Sequence, residues 1–132
     1  MKEKAKILIV DDDIDFVETT KTVLESKPYE VVVAYEGDEG LEKAREESPD
    51  LILLDVIMPI KDGFTAAQQL KKDPKLSKIP VLMLTAFSSK RQESSIPLSR
   101  GFSLETEDYI EKPVSPNDLL AAVERSLKRA GR

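Results

Sequence analysis

Leu51-Ile52-Leu53-Leu54-Asp55 is a run of large aliphatic residues that ends on a carboxylate. With no polar alternation, it fits a strand buried on both faces, the form taken by central strands of parallel sheets. Asp55 then opens the turn Val56-Ile57-Met58-Pro59, and the pattern has a counterpart upstream, where Ile7-Leu8-Ile9-Val10 runs directly into Asp11, Asp12 and Asp13. A carboxylate at the end of a buried strand loses hydration, and clustered carboxylates repel one another. A hard divalent cation with oxygen ligands removes both penalties. The two strand ends together point to an acidic, oxygen-lined metal pocket.

Further out, β-rich runs at 6–10, 31–35, 51–55, 81–85 and 108–111 alternate with amphipathic stretches. Residues 14–26 place Phe16, Val17, Thr20, Val23 and Leu24 near one helical face. The corresponding positions are Leu41 and Ala44 in 39–47, Phe64, Ala67 and Leu70 in 64–71, and Leu119, Leu120, Val123 and Leu127 in 117–128. Spacing of this kind marks helices with one buried stripe. Strand and helix alternating in this way predict an α/β fold, with parallel strands and crossover helices on both faces. Such sheets place their sites beyond the carboxyl ends of the strands. Asp11, Asp12, Asp55 and Thr85 fall at those ends, and Lys112 just follows the last run. Residues 88–100 are rich in serine and interrupted by Pro97, which removes a helical donor and restricts Ile96, so helix there is expected to be short or broken.

Composition narrows the chemistry. A length of 132 residues with 40% hydrophobic content suits one domain over 1–132. A net charge of −5 argues against nucleic acid as a direct ligand and favours a cation. With no cysteine there is no disulfide, thiolate nucleophile or sulfur-ligated metal. With no histidine there is no Ser-His-Asp triad, histidine-ligated zinc or phosphohistidine on this chain. Chemistry is left to carboxylates, hydroxyls, lysine and a bound ion. No apolar stretch has signal-peptide or membrane-span form, so no membrane partner and a cytoplasmic location are expected.

Four motifs occur in order at suitable strand ends: Ile9-Val10-Asp11-Asp12-Asp13, Leu54-Asp55-Val56-Ile57-Met58-Pro59 with Asp62-Gly63, Leu84-Thr85-Ala86, and Tyr109-Ile110-Glu111-Lys112-Pro113. On these the chain resembles the response-regulator receiver domains of two-component signalling, over about 6–127. The resemblance implies a flavodoxin-like, doubly wound, five-stranded parallel sheet, (βα)5, with an irregular fourth helical segment. It implies that Asp55 accepts a phosphoryl group from a histidine kinase or histidine phosphotransfer protein. Asp12, Asp55 and the backbone carbonyl of Ile57 would ligate Mg2+, with Asp11 acting directly or through a water. Thr85 and Lys112 would hold phosphoryl oxygens, and Thr85 and Tyr109 would form the switch. Such a domain signals to a downstream protein rather than acting as an enzyme, with at most weak self-catalysed phosphotransfer and dephosphorylation. It would be a monomer or a weak phosphorylation-dependent dimer.

The chain departs from the family pattern in two places. Tyr109 stands eight residues after Gly101, where the family commonly takes about four, which together with Pro97 alters a segment many receivers use for output. Ile57 and Phe87, two residues beyond Asp55 and Thr85, are large and apolar where the family tunes attack by water, so slow phosphate loss is expected. Two other readings remain at this point. An aspartyl-phosphate hydrolase of haloacid dehalogenase type would use Asp11 and Asp13 as its Asp-x-Asp pair, although Ile14-Asp15 follow and no room remains for a cap. A receiver-like binding module without phosphorylation would have no need of Thr85 and Lys112 beside the acidic pair. Asp13 is otherwise expected to cap the first helix.

Overall fold

Ile7, Leu8, Ile9, Leu51 and Leu53 have no solvent exposure, and Ile52 and Leu54 have 1%. Two adjacent strands of such side chains need cover on both faces, and the chain supplies it with helices. The structure, a computed structural model, describes residues 4–55, 63–85, 108–111 and 115–131, of which 63–67, 85, 108, 109 and 111 are described by their backbone. The elements run β1 (Ala5–Val10), α1 (Ile14–Glu25), β2 (Tyr29–Ala34), α2 (Gly37–Glu47), β3 (Leu51–Asp55), α3 (Gly63–Lys72), β4 (Val81–Thr85), β5 (Asp108–Glu111) and α4 (Pro116–Arg129). The irregular helical segment expected around Pro97 lies outside the described residues.

The strands pair in parallel in the order β2-β1-β3-β4-β5. Alternation along each strand sends successive side chains to opposite faces, and the core divides accordingly. Leu8, Val10, Ile52, Leu54, Val81 and Met83 pack with Leu41 and Ala44 of α2 and Leu70 of α3. Ile7, Ile9, Leu51, Leu53, Leu82 and Leu84 pack with Val17 and Leu24 of α1 and with Leu119, Val123 and Leu127 of α4. Helices thus cover both faces, as the alternation of the sequence predicts. At Gly40 a Cβ would lie 2.8 Å from Val10 Cγ2, so the missing side chain lets α2 approach β1 closely, next to Asp11.

Several boundaries differ from the sequence expectation. β2 begins at Tyr29 and stops at Ala34, rather than spanning 31–35. Its full length is matched to β1, from Ala5↔Tyr29 to Val10↔Ala34. Tyr35 leaves the ladder because its amide donates to the Glu39 carboxylate at 2.8 Å. The Glu36 carboxylate in turn accepts the Glu39 amide, so α2 starts at Gly37 instead of 39. Side-chain acceptors here outcompete the ladder, as they do at helix caps.

The base of the sheet is closed by a contact over 44 residues. The Lys6 amide donates to Asp50 Oδ2 at 2.8 Å, and the Asp50 amide donates to the Lys6 carbonyl at 2.7 Å. The Lys6 ammonium reaches Glu47 at 3.0 Å, and that hydrogen bond, with Glu30 nearby, raises its pKa above the ordinary 10.5. The pair sets the start of β3 beside β1, which fixes how far β3 extends at the other end.

One core position is mismatched. Ser126, on the buried face of α4, has no exposure, and its hydroxyl makes no hydrogen bond. An unsatisfied buried hydroxyl carries a desolvation cost, and alanine is the better helix former. Ser126→Ala is expected to raise the unfolding free energy by about 1 kcal/mol, read as a shifted urea midpoint at constant slope. A destabilised variant would mean that the hydroxyl is satisfied in solution.

Candidate functional site

The ladder between β1 and β3 pairs Val10 with Leu54. Asp11 and Asp55, each the next residue, therefore come level on neighbouring strands at their carboxyl ends. Chain direction makes this edge special. From β1 the chain moves outward to β2, then returns across β1 to β3. The crevice of a doubly wound sheet opens where the order reverses, here between β1 and β3.

Asp11 is held from two sides. Its amide donates to the Ala34 carbonyl at 3.1 Å, continuing the β1–β2 ladder one residue past the strand. Its Oδ1 accepts the Asp13 amide at 2.9 Å. Asp13 is the N-cap of α1, its Oδ1 accepting from Phe16 at 3.1 Å. This turn directs the chain from β1 into α1 and leaves Asp12 exposed between two anchored neighbours.

One carboxylate oxygen from each of Asp11, Asp12 and Asp55 lies within 4.8 Å of the others. Asp11 has no exposure, Asp55 has 1%, and Asp12 is exposed. Asp55 is held by other interactions, yet its buried Oδ2 accepts no hydrogen bond. Two buried carboxylates and a third at their rim form a costly arrangement unless positive charge is added. The donor set is entirely hard oxygen and open on one side. That suits an ion that binds few carboxylates and keeps several waters.

Of the site residues expected from sequence, Asp11, Asp12 and Asp55 come together. Thr85 ends β4, beside β3, where Leu84 pairs with Asp55. Tyr109 lies in β5, paired with Met83. Only the backbone of these two is described. Ile57, Phe87 and Lys112 lie outside the described residues, as do Gly101 and the segment that follows it. What the sequence reading missed is the second bond of Asp13, from its amide to Asp11. The run of three aspartates carried the signal, since an Asp side chain commonly accepts the amide two residues on.

The sequence matches the response regulator receiver domain family over residues 7–124, and the chain belongs to that family. It is therefore a receiver of two-component signalling, a phosphoacceptor signalling domain rather than an enzyme family. It is 41% identical over 125 residues to PhoP, the alkaline phosphatase synthesis transcriptional regulatory protein of Bacillus subtilis, a match covering 95% of this chain and 49% of that protein. It is 40% identical over 126 residues to the probable transcriptional regulator ycf27 of Cyanophora paradoxa, covering 96% and 49%. The chain thus spans about half the length of the curated relatives it matches. In structure it is similar to a CheY-like receiver domain protein from Methanospirillum hungatei, with a TM-score of 0.84, 30% identity and 98% of each chain covered.

Proposed function

We propose that Asp55 accepts the phosphoryl group, in a Mg2+-dependent transfer from a histidine kinase or a histidine phosphotransfer protein. The observation that carries this is the meeting of Asp55 with Asp11 and Asp12 at the β1/β3 switch point. In the transfer, a carboxylate oxygen of Asp55 bonds to phosphorus while the phosphorus–nitrogen bond of the donor phosphohistidine breaks. The imidazole leaves with that electron pair and takes up a proton. A buried carboxylate is a weak nucleophile until nearby charge is offset. Asp11, Asp12, Asp55 and the Ile57 carbonyl would hold Mg2+, which supplies that positive charge when bound. Thr85 and Lys112 would donate to phosphoryl oxygens as charge spreads onto them.

The remaining details belong to the same reading. Residues 1–132 form one receiver unit of (βα)5 architecture, with the fourth helical segment between β4 and β5. Thr85 and Tyr109 carry the switch to a downstream protein partner. The relatives are transcriptional regulators, and the receiver acts on such an output through protein contacts rather than by binding nucleic acid itself. It works as a monomer or a weak phosphorylation-dependent dimer, with at most weak self-catalysed phosphotransfer and dephosphorylation. No helix among the described residues is long and apolar enough to cross a membrane, and we place the domain in the cytoplasm. The hydrolase reading loses support because the Asp13 carboxylate, its second acid, caps α1.

Intact-mass measurement after incubation with Mg2+ and a small phosphodonor tests the reading. One phosphoryl group per chain, lost on chelation before the donor is added, is the expected result. Continuous turnover of a phosphate ester would favour a hydrolase instead.

Metal binding should also show in stability. Without an ion the carboxylates repel one another, and a ligand that binds only the folded state adds about 2.7 kcal/mol at a hundredfold excess over its dissociation constant. Millimolar Mg2+ is expected to raise the melting temperature, and Asp12→Ala to lose most of that rise. A variant that responds like the wild type would remove Asp12 from the pocket.

Phosphate lifetime is expected to be long, because neither Ile57 nor Phe87 can orient an attacking water by hydrogen bonding. Ile57→Asn combined with Phe87→Glu should speed the decay. Each 1.4 kcal/mol of restored transition-state stabilisation is worth about tenfold in rate. Unchanged or slower decay in the double variant would count against shielding.

A further inference from the structure

Asp13 makes two hydrogen bonds of different kinds. Its carboxylate accepts the Phe16 amide and caps α1. Its own amide donates to Asp11 Oδ1 at 2.9 Å, closing a short turn over Asp12. The Asp11 backbone is already tied to Ala34, and its side chain is fully buried. The carboxylate is thus fixed at both ends, by β2 through the main chain and by Asp13 through Oδ1.

We infer that the Asp13 backbone amide is a positioning element of the cation pocket: by pinning Asp11 Oδ1 it fixes the carboxylate plane, and so biases the pocket toward a small six-coordinate cation, Mg2+ or Mn2+, over Ca2+. This rests on the Mg2+ pocket proposed above. Ca2+ takes six to eight oxygens at about 2.3–2.6 Å and readily accepts both oxygens of one carboxylate. Mg2+ demands a near-ideal octahedron at about 2.0–2.1 Å, filled largely by water. For Asp11 to swing into two-oxygen contact, the partly buried Asp13 hydrogen bond must break. Such outer hydrogen bonds orient ligands and are commonly worth ~10–100-fold in metal affinity. The Asp13 carboxylate faces solvent and serves the helix, so its amide and its charge act separately.

Two substitutions separate them. Asp13→Ala removes the cap and the charge but keeps the amide. Asp13→Pro removes all three, and the φ of −85° at this position lies near what proline requires. Mg2+ and Ca2+ dissociation constants are measured by calorimetric titration on the whole chain. Asp13→Ala is expected to keep the wild-type Mg2+/Ca2+ preference. Asp13→Pro is expected to weaken Mg2+ by ~10–100-fold and Ca2+ by less, shrinking the preference. An unchanged preference in Asp13→Pro, or an equal loss in Asp13→Ala, overturns the inference while leaving the pocket in place. A wild-type chain that binds no Mg2+ overturns the pocket reading and the inference with it. Should Asp13→Pro give no cooperative melt, hydrogen exchange of the wild-type Asp13 amide decides. Protection in both metal-free and Mg2+-bound protein is required, and exchange at the rate of an exposed loop amide overturns the inference.

Discussion

Asp55→Asn is expected to carry no phosphoryl group after any length of incubation with Mg2+ and a phosphodonor, where the wild-type chain carries one. The substitution keeps the size of a side chain that is 1% exposed and removes its anionic oxygens. An amide is neither a nucleophile toward phosphorus nor an anionic ligand. Misfolding is an easily separated explanation, because the loss of one negative charge beside Asp11 and Asp12 relieves repulsion in the metal-free domain. Metal-free Asp55→Asn should therefore melt at or above the wild-type temperature while responding less to Mg2+. A phosphoryl mass increment that survives in the variant would move the acceptor elsewhere. A variant that melts far lower would show that the carboxylate is tied into the fold by more than its place in the pocket.

Leu53→Ala is expected to cost about 2–5 kcal/mol of stability, the largest effect of any single truncation proposed for this chain. Leu53 has no exposure and lies centrally on β3, packed in the layer formed with α1 and α4. Truncation removes methylenes from water-excluded surroundings and leaves a cavity that two covered faces cannot readily collapse. Urea unfolding checks it: the midpoint should fall with an unchanged slope. A loss below about 1 kcal/mol would mean that α1 or α4 closes over the gap. Since Asp55 stands two residues away on the same strand, the variant should still accept phosphate at low temperature, where it remains folded.

The parts of the fold legible in the sequence were those built by local hydrophobic pattern. Leu51 to Leu54 and Ile7 to Val10 read as doubly covered strands because no polar side chain interrupts them, and both are buried in that way. The stripes Val17, Thr20, Leu24 and Leu119, Val123, Leu127 lie on the inner faces of α1 and α4 for the same reason. The acidic trio was legible because each member follows or ends a strand, so that its position depends on strand ends alone. Less visible were features set by side chains that bond to distant or displaced backbone. Glu39 takes the Tyr35 amide and ends β2 early, which the β-rich composition of 31–35 conceals. Asp50 pairs with Lys6 across 44 residues, a contact to which no periodicity points. Ser126 occupies a position that helical spacing alone would assign to an apolar residue.

The two-sided burial of β3 also bears on how the gene can vary. Leu51 and Leu53 belong to one helical layer, Ile52 and Leu54 to the other. Removing one codon from this stretch would pass every later side chain of the strand to the opposite layer and draw Asp55 back below the level of Asp11. Adding one would do the same in the other sense. Point substitutions among aliphatic residues cost packing and leave the aspartate in place, whereas a change of length costs both core and chemistry at once. In natural variants of this domain, insertions and deletions should therefore be absent from residues 51–55 and from the paired residues 7–10, and should gather in the connections where no register is kept.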